Sequence, residues 1–182
     1  MEDLWTILSS AGVAAIVSAV ASYIINILTH KRKYKDDYYK MVINKRMDAY
    51  QHLERQIQVL KMVEADNTDA KLYHYMFNND SKQYFESQQH VRFALTKSLW
   101  ISQEMLDVLN DFQKHLFEIE NHISDDSDNN ILIGKKWYPI LSEDRCKIED
   151  CLKKDMQNMY DAESFLKKKI ERKKVIINVP IN

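Results

Sequence analysis

Residues 4–28 read LWTILSSAGVAAIVSAVASYIINIL, a run of 25 positions without a charged side chain. As an α-helix with a rise of about 1.5 Å per residue, this run is roughly 37 Å long, and the hydrocarbon core of a bilayer is about 30 Å thick. A core helix of a soluble protein rarely stays uncharged over such a length. The run therefore predicts a transmembrane helix, and we assign residues 1–30 to an N-terminal anchor.

The charges on either side of this run predict its orientation. Glu2 and Asp3 precede it. The basic residues that follow it closely are Lys31, Arg32, Lys33 and Lys35. Because positive charge near a span marks the cytoplasmic side, we expect a single-pass protein with its N-terminus outside and the rest of the chain in the cytoplasm. Trp5, near the outer end, suits the preference of aromatic side chains for the membrane interface.

A cleaved signal peptide is the alternative interpretation of this run, since Ala19, Val20 and Ala21 resemble a cleavage site. A signal peptide begins with positive charge, however, whereas acidic residues precede this run, and its apolar character continues past Ala21. We therefore favour an uncleaved span.

Small residues recur every four positions within the predicted span, at Ala11, Ala15 and Ala19. Such a stripe lets two helices approach closely in lipid, where packing drives their association. We expect a homo-oligomer that forms through these residues. The alternative is that the alanines only dilute the apolar character of a single helix, because this pattern is also common by chance.

The composition of the whole chain limits the classes of function. Its 182 residues include only two glycines and two prolines, which disfavours glycine-rich phosphate loops and favours long helices. The 26 basic residues balance 27 acidic ones, so the total charge gives no sign of a nucleic-acid partner. Cys146 and Cys151 are five residues apart, which fits neither a mutual disulfide on a helix nor a CxxC site.

The spacing of apolar residues beyond the anchor predicts an all-α fold. We expect the transmembrane helix to continue into an antiparallel bundle of about four helices over residues 31–174, which lies in the cytoplasm and is followed by a tail over residues 175–182. Ile43, Tyr50 and Ile57, each seven residues apart, predict a first helix that ends near residue 65.

Three further helices are expected after the first. The second is predicted over residues 69–99, although the turn-like FNNDSK at residues 77–82 is an alternative break within it. The third begins at a Ser102 cap, because apolar residues then alternate in steps of four and three. Gly134 and Pro139 predict an irregular connector, and the fourth helix is expected from a Ser142 cap to residue 174.

This arrangement predicts that basic and acidic residues lie at opposite ends of the bundle. The distal loops carry five acidic residues, which are Asp66, Asp69, Asp125, Asp126 and Asp128. The fourth helix ends in a membrane-proximal basic cluster of Lys167, Lys168, Lys169, Arg172, Lys173 and Lys174. We expect this cluster to contact anionic headgroups, with Trp100 and Ile101 exposed beside it at the interface. The alternative is a solvated helix end that is stabilised by its own dipole.

The sequence contains few candidate catalytic or metal-binding residues. Three pairs of an acidic residue and a histidine stand four residues apart, and these are Asp48 and His52, Glu86 and His90, and Glu118 and His122. Di-iron bundles use a spacing of three, so we interpret the pairs as ion pairs at the rim of the bundle. A calcium loop at residues 126–130 is disfavoured because Ile131 stands where glycine is needed. We expect no catalytic, cofactor-binding or metal-binding residue and no enzyme activity.

Two stretches resemble one group of bacterial proteins. Residues 38–61, YYKMVINKRMDAYQHLERQIQVLK, include Lys45, Arg46, Ala49, Tyr50 and Leu53 directly after a single span. Residues 98–119, SLWISQEMLDVLNDFQKHLFEI, resemble the same group. Its members are small, membrane-anchored helical proteins that often lie near antiphage-defence genes. The resemblance implies the inner membrane of a bacterium and a role as a defence effector or its regulator, with no catalytic residues to transfer.

Three functional hypotheses follow. The first is a non-enzymatic effector or regulator that oligomerises and perturbs the inner membrane. The second is a constitutive anchor or adaptor that presents its bundle to a cytoplasmic protein partner. The third is a sensor of a small anionic signal. In each of them the membrane is the expected partner, and nucleic acid is not.

Overall fold

The structure is a computed structural model that describes the backbone over residues 2–177 and the side chains over residues 13–169. It is mostly helical, which confirms the predicted all-α class, with one small two-stranded sheet. The chain divides into two units, Met1–Met41 and Val42–Asn182. The second unit contains the folded core.

The first helix, α1, extends over Glu2–Lys61 and contributes to both units. Among the described residues, it is the one helix that is long and apolar enough to cross a membrane, and none of its apolar window is buried. In the second unit, one face of α1 is buried through Ala49, Leu53, Ile57 and Leu60, at the spacing of helical turns. The predicted first helix is therefore confirmed, with its end four residues earlier than expected.

A β-hairpin replaces the expected start of the second helix. Strands β1 (Val63–Ala65) and β2 (Leu72–His74) pair antiparallel, and a 3₁₀ turn follows at Tyr75–Phe77. The Asp66 carboxylate accepts hydrogen bonds from both the backbone N–H and the hydroxyl of Thr68, which closes the turn. Such side-chain bonds compete with helix formation, and so the prediction of a helix from residue 69 is wrong.

The rest of the predicted second helix consists of two short helices. They are α2 (Ser81–Ser87) and α3 (Gln89–Thr96). Asp80 caps α2 by accepting a hydrogen bond from the backbone N–H of Gln83. Residues 78–80 are not helical, but they follow the 3₁₀ turn and do not split a helix. The two helices are separated at Gln88, which was not predicted.

The third predicted helix is confirmed as α4 (Gln103–Glu120). The Ser102 hydroxyl accepts a hydrogen bond from the backbone N–H of Met105, as expected of a cap. Five residues of the predicted apolar stripe are fully buried, and these are Met105, Leu109, Phe112, Leu116 and Ile119. The sixth, Ile123, lies after the helix and is partly buried.

The fourth predicted helix is wrong at both ends. Helix α5 extends over Ser127–Gln157, so it begins well before Ser142 and includes both Gly134 and Pro139. Gly134 lies against the buried Phe77 ring, where an added Cβ would come within 2.8 Å of the ring. Trp137 and Leu141 are buried on either side of Pro139. Tertiary packing therefore overrides the low helix propensity of this stretch.

Residues 158–161 interrupt the predicted fourth helix, and a separate helix, α6, follows at Ala162–Ile177.

Two pairs of contacts show how α4 and α1 pack on α5. Lys154 contacts Glu104 at 2.6 Å and Asp144 contacts His115 at 2.7 Å, so α4 is antiparallel to α5. The C-terminal part of α1 is also antiparallel to α5, because Tyr50 bonds Asp155 and Lys61 contacts Glu149.

His74 is fully buried at the end of β2, with its ring centroid 5.0 Å from that of Tyr138 on α5. Burial lowers the pKa of His74 from 6.5 to about 4, because the protonated ring loses its hydration. Between these values the unfolded chain binds a proton that the folded chain does not. The free energy of unfolding is therefore highest above pH 6.5 and falls as the pH decreases towards 4.

We predict that the full chain loses up to about 3 kcal/mol of stability between pH 7 and pH 4 through His74. His74→Phe keeps a ring against Tyr138 and removes the titrating group, so its pH dependence should be shallower. Thermal unfolding followed by circular dichroism at several pH values measures this. His122→Gln, at an exposed position, is the control. An unchanged pH profile in His74→Phe would show that other groups cause the loss.

Candidate functional site

The apolar segment of α1 has no buried face within the described residues. From Val13 to Leu28 every side chain is exposed, including Ile16 at 67% and Tyr23 at 68%. Ala15 and Ala19 are among them and are accessible for contact with another helix. Trp5 and Ala11 lie outside the described side chains. By its length and composition, this helix could span a membrane.

The helix remains exposed where it becomes polar, over residues 29–38. Lys31, Arg32, Lys33 and Lys35 are all exposed there, and the Lys35 ammonium lies 5.3 Å from the centroid of the Tyr39 ring. Oppositely charged residues stand four apart, as in Asp36 and Lys40, which stabilises an isolated helix by a few tenths of a kcal/mol per pair.

A buried arginine connects α1, α5 and α6 in the second unit. The Arg46 side chain is 2% exposed, and its Nη1 donates hydrogen bonds to the carbonyls of Met159 at 3.0 Å and Asn158 at 3.4 Å. Its guanidinium lies 4.2 Å from the centroid of the Phe165 ring. The cation therefore occupies the negative end of the α5 dipole and stacks on α6. We call this arrangement the Arg46 junction.

Tyr50 extends the Arg46 junction by one turn. Its hydroxyl donates to the Asp155 carboxylate at 2.6 Å and accepts from the backbone N–H of Ser102 at 3.2 Å. Burial and the neighbouring carboxylate raise the pKa of Tyr50, so the phenol stays protonated. Ala49 and Leu53 are buried beside it. Of the residues singled out in the stretch 38–61, Arg46, Ala49, Tyr50 and Leu53 are thus buried in the core, and only Lys45 is exposed.

One residue of the predicted basic cluster, Lys169 of α6, contacts the link between α3 and α4. The Lys169 ammonium donates to the Ser98 carbonyl at 2.9 Å, and Lys167 pairs with Glu163 at 3.1 Å, whereas Lys168 is exposed. Leu99 in the link is 72% exposed. The side chains of Arg172, Lys173 and Lys174 lie outside the described residues.

Two residues of this link were predicted to be exposed at a membrane interface. Trp100 is only partly buried and packs against the core. Ile101 is fully buried, so the prediction that it is exposed is wrong. The Ser102 cap turns the chain into α4, and Ile101 is drawn into the core directly before it. Tyr160, between α5 and α6, is 82% exposed.

The acidic loops lie at the other end of α5. Asp66 and Asp69 both contact the ammonium of Lys135, an α5 base that the prediction of a purely acidic end did not include. The hydrogen bond from Lys135 lowers the pKa of Asp66 to about 2. Asp125 accepts a hydrogen bond from the Ser81 hydroxyl at 2.6 Å, and Asp126 caps α5. Most of these acids therefore have structural partners.

The three acid–histidine pairs have different surroundings. Asp48 contacts Lys97 of the α3–α4 link at 2.5 Å, as an ion pair. Its neighbour His52 lies beside His90 of α3, with ring centroids 6.2 Å apart, so two of the predicted pairs meet in space. His122 is exposed and Glu118 is exposed beside it.

One further histidine contact was not predicted. His115 of α4 contacts the buried Asp144 of α5 through Nδ1 at 2.7 Å, and its ring lies 6.0 Å from that of Trp137. These residues are 29 positions apart, so no local spacing indicates the pair. Only a correct register between the two helices would have revealed it.

An open groove of about 680 Å³ lies beside the end of α1. Its walls include Val59 of α1, Met62 directly after α1, Tyr75 of the 3₁₀ turn, and Gln83 and Glu86 of α2. Met62 is 49% exposed at its edge. Apolar and polar side chains are mixed along this groove, which suits a polypeptide surface better than a small apolar ligand.

Comparison with known proteins does not assign the chain to a family. No protein-family description matches the sequence, and neither a curated protein nor a solved structure is significantly similar to it.

The Arg46 junction generates a stability prediction. Arg46→Gln removes the cation from the two carbonyls and from the Phe165 ring, and we expect a loss of about 2–3 kcal/mol. Lys45→Gln, at the neighbouring exposed position, should change stability by less than about 0.5 kcal/mol. Thermal unfolding measures both variants.

Limited proteolysis tests whether the loss of stability in Arg46→Gln arises where α6 packs on α5. Chymotrypsin should cleave after Tyr160 faster in Arg46→Gln than in Lys45→Gln, because α6 is released from α5. Equal cleavage rates would mean that Arg46 does not hold α6 in place.

Proposed function

We propose that this protein is a single-pass protein of the bacterial inner membrane. Its N-terminus is outside, and its folded unit is in the cytoplasm. The observation that carries this proposal is the exposed apolar segment of α1, followed directly by exposed basic residues. Positive charge beside a span favours the cytoplasmic side.

We propose further that the protein acts there without catalysis, as an oligomerising effector or regulator of antiphage defence that perturbs the membrane. Exposed Ala15 and Ala19 support assembly through the span, since small residues permit close helix contacts in lipid. The basic cluster supports a second contact with anionic lipid, because Lys168 is exposed and each such charge near an anionic leaflet contributes about 1 kcal/mol. The connection to defence rests on the resemblance of residues 38–61 and 98–119.

The second candidate function is a membrane-anchored adaptor. The open groove beside Met62 favours it, because a cytoplasmic protein partner could bind there. The two functions differ in what the protein does alone, since an effector harms the cell when it is overproduced or triggered, whereas an adaptor without its partner is inert.

Insertion of the span is tested first. Arginines at Ile16 and Val20 each cost about 2.5–3.5 kcal/mol in the bilayer, so the double variant Ile16→Arg, Val20→Arg should leave the membrane fraction. The matched control Tyr34→Arg, Tyr38→Arg adds the same charge beyond the apolar segment and should stay in it. Carbonate-washed membranes and immunoblotting provide the measurement. Retention of the first variant would contradict the proposed span.

The effector function is tested by the membrane potential. We expect the overproduced or phage-triggered wild-type chain to depolarise bacteria loaded with a voltage-sensitive dye. Ala15→Leu should weaken this depolarisation because it fills the proposed helix contact, whereas Ala14→Leu lies on a different face and should not. If the wild-type protein is in the membrane and the potential never changes, the effector function is wrong and the adaptor function is favoured.

A further inference from the structure

The open groove beside the end of α1 is partly apolar. Val59, Met62, Tyr75 and Met76 line it, and Met62 and Tyr75 are 49% and 37% exposed. Methionine side chains are flexible and polarisable, so they adapt to apolar side chains of different shapes. Apolar surface that stays open to solvent favours association, because a partner can bury it.

Several backbone polar groups along the groove are already hydrogen-bonded. The backbone N–H of Tyr75 donates to the Met62 carbonyl at 2.9 Å, and the Tyr75 carbonyl accepts from the Gln83 amide at 2.8 Å. The carbonyl of Asn79 accepts from the Asn130 amide at 2.9 Å. An extended peptide that adds to a strand needs free N–H and C=O groups, whereas a helix satisfies its own. The groove therefore suits a helix that binds through its side chains.

The rim of the groove is negatively charged. Asp80 and Glu86 lie in its walls, and Lys82 is the one base among the lining residues of the described chain. Ser127 also lines the groove, and it belongs to residues 125–128, a stretch that adds three exposed aspartates. Five carboxylates thus surround the groove with one ammonium.

These carboxylates have mostly neutral partners. Within the described residues, the one ion pair of this set joins Glu86 to Lys82 at 3.8 Å. Asp80 and Asp126 accept from backbone N–H groups as helix caps, and Asp125 accepts from a serine hydroxyl at 2.6 Å. Hydrogen bonds from neutral donors leave the net charge of the rim negative. The rim is therefore complementary to a positively charged partner.

We propose that this groove binds a basic amphipathic helix of a cytoplasmic protein. Apolar side chains of that helix, spaced three, four and seven residues apart, pack on Met62 and Tyr75. Its lysines and arginines face the acidic rim. This inference deepens the adaptor function and rests on it.

A second copy of the chain is the other basic occupant. Residues 162–177, which form α6, contain six basic and two acidic residues. The first half of α6 is already packed in its own chain, because Phe165 lies against Arg46 and Lys169 donates to the Ser98 carbonyl. Binding to a second copy would cost these contacts, so we assign the groove to a separate protein.

Binding of a defined cationic helix tests the groove. The full-length protein is placed in phosphatidylcholine nanodiscs, and a fluorescein-labelled amphipathic helix of leucine and lysine is added, with empty nanodiscs as the blank. The same helix with glutamate in place of lysine is the charge control. We expect the anisotropy to rise with the lysine helix only. An increase from about 50 to about 500 mM salt should weaken this binding about tenfold or more.

Two pairs of variants locate the binding site. Met62→Gln keeps the length of the side chain and removes its apolar end, so it should weaken binding about threefold or more. Met156→Gln, at a similarly exposed methionine of α5, should leave binding unchanged. Glu86→Lys should also weaken binding about threefold or more. Its matched control is Glu118→Lys, at an exposed position of α4.

Three outcomes would overturn the proposal. The first is that the wild-type protein does not bind the lysine helix at about 100 μM. The second is that Met62→Gln and Glu86→Lys bind it as tightly as the wild-type protein, which would place the helix elsewhere. The third is that a peptide of residues 162–177 binds more tightly than the lysine helix, which would make a second copy the occupant.

Photo-crosslinking keeps the test valid if a groove variant fails to fold. A benzophenone on the apolar face of the lysine helix reacts preferentially with methionine and should attach to Met62 of the wild-type protein. Cross-links that lie only outside the groove would contradict the proposal. The adaptor function fails separately, if the wild-type chain alone depolarises the cell, because the binding measurement uses the purified protein.

Discussion

The second unit depends on the burial of one positive charge. Arg46 brings a guanidinium into the core at the point where α5 ends. It donates to the carbonyls of Asn158 and Met159, directly after that helix, and stacks on Phe165 of α6. A buried cation is costly unless it is hydrogen-bonded. The two bonds from Nη1 therefore offset part of the cost of burying Arg46, whose Nε has no partner among the described residues. Tyr50 and Asp155 form the next polar layer, which also fixes the backbone at Ser102. One turn of α1 thus determines where three other segments lie.

Polar contacts also hold the opposite end of α5, but they differ in kind. Lys135 contacts two aspartates of the hairpin turn, and Asn130 donates from its amide to the carbonyls of Asn79 and Ser124. The ion pairs of Lys135 lie nearer to solvent than Arg46 does, since Asp69 is 36% exposed, whereas Asn130 is as buried as Arg46. Salt screens such pairs more than buried ones. The two ends of the unit should therefore respond differently to ionic strength, with the hairpin loosening first.

Sequence periodicity predicted the elements that one apolar stripe defines. The 3.6-residue spacing was sufficient for α1 and α4, and the hydroxyl of Ser102 marked the start of α4. It failed where tertiary contacts override local preference, as in α5, which accommodates Gly134 and Pro139 because Trp137 and Leu141 are buried around them. The hairpin was missed because Asp66 closes its turn through side-chain bonds. His52 and His90 were each noticed, but only the packing of α1 on α3 brings them together.

The contact between Gly134 and Phe77 links two positions that are far apart in the chain. Phe77 fills the space that a side chain at position 134 would occupy, and it is itself completely buried. Neither position is free to change alone, because a larger residue at 134 requires a smaller one at 77. In an alignment of related sequences, positions 77 and 134 should therefore vary together. Such covariation would show, without any structure, that the 3₁₀ turn packs against α5.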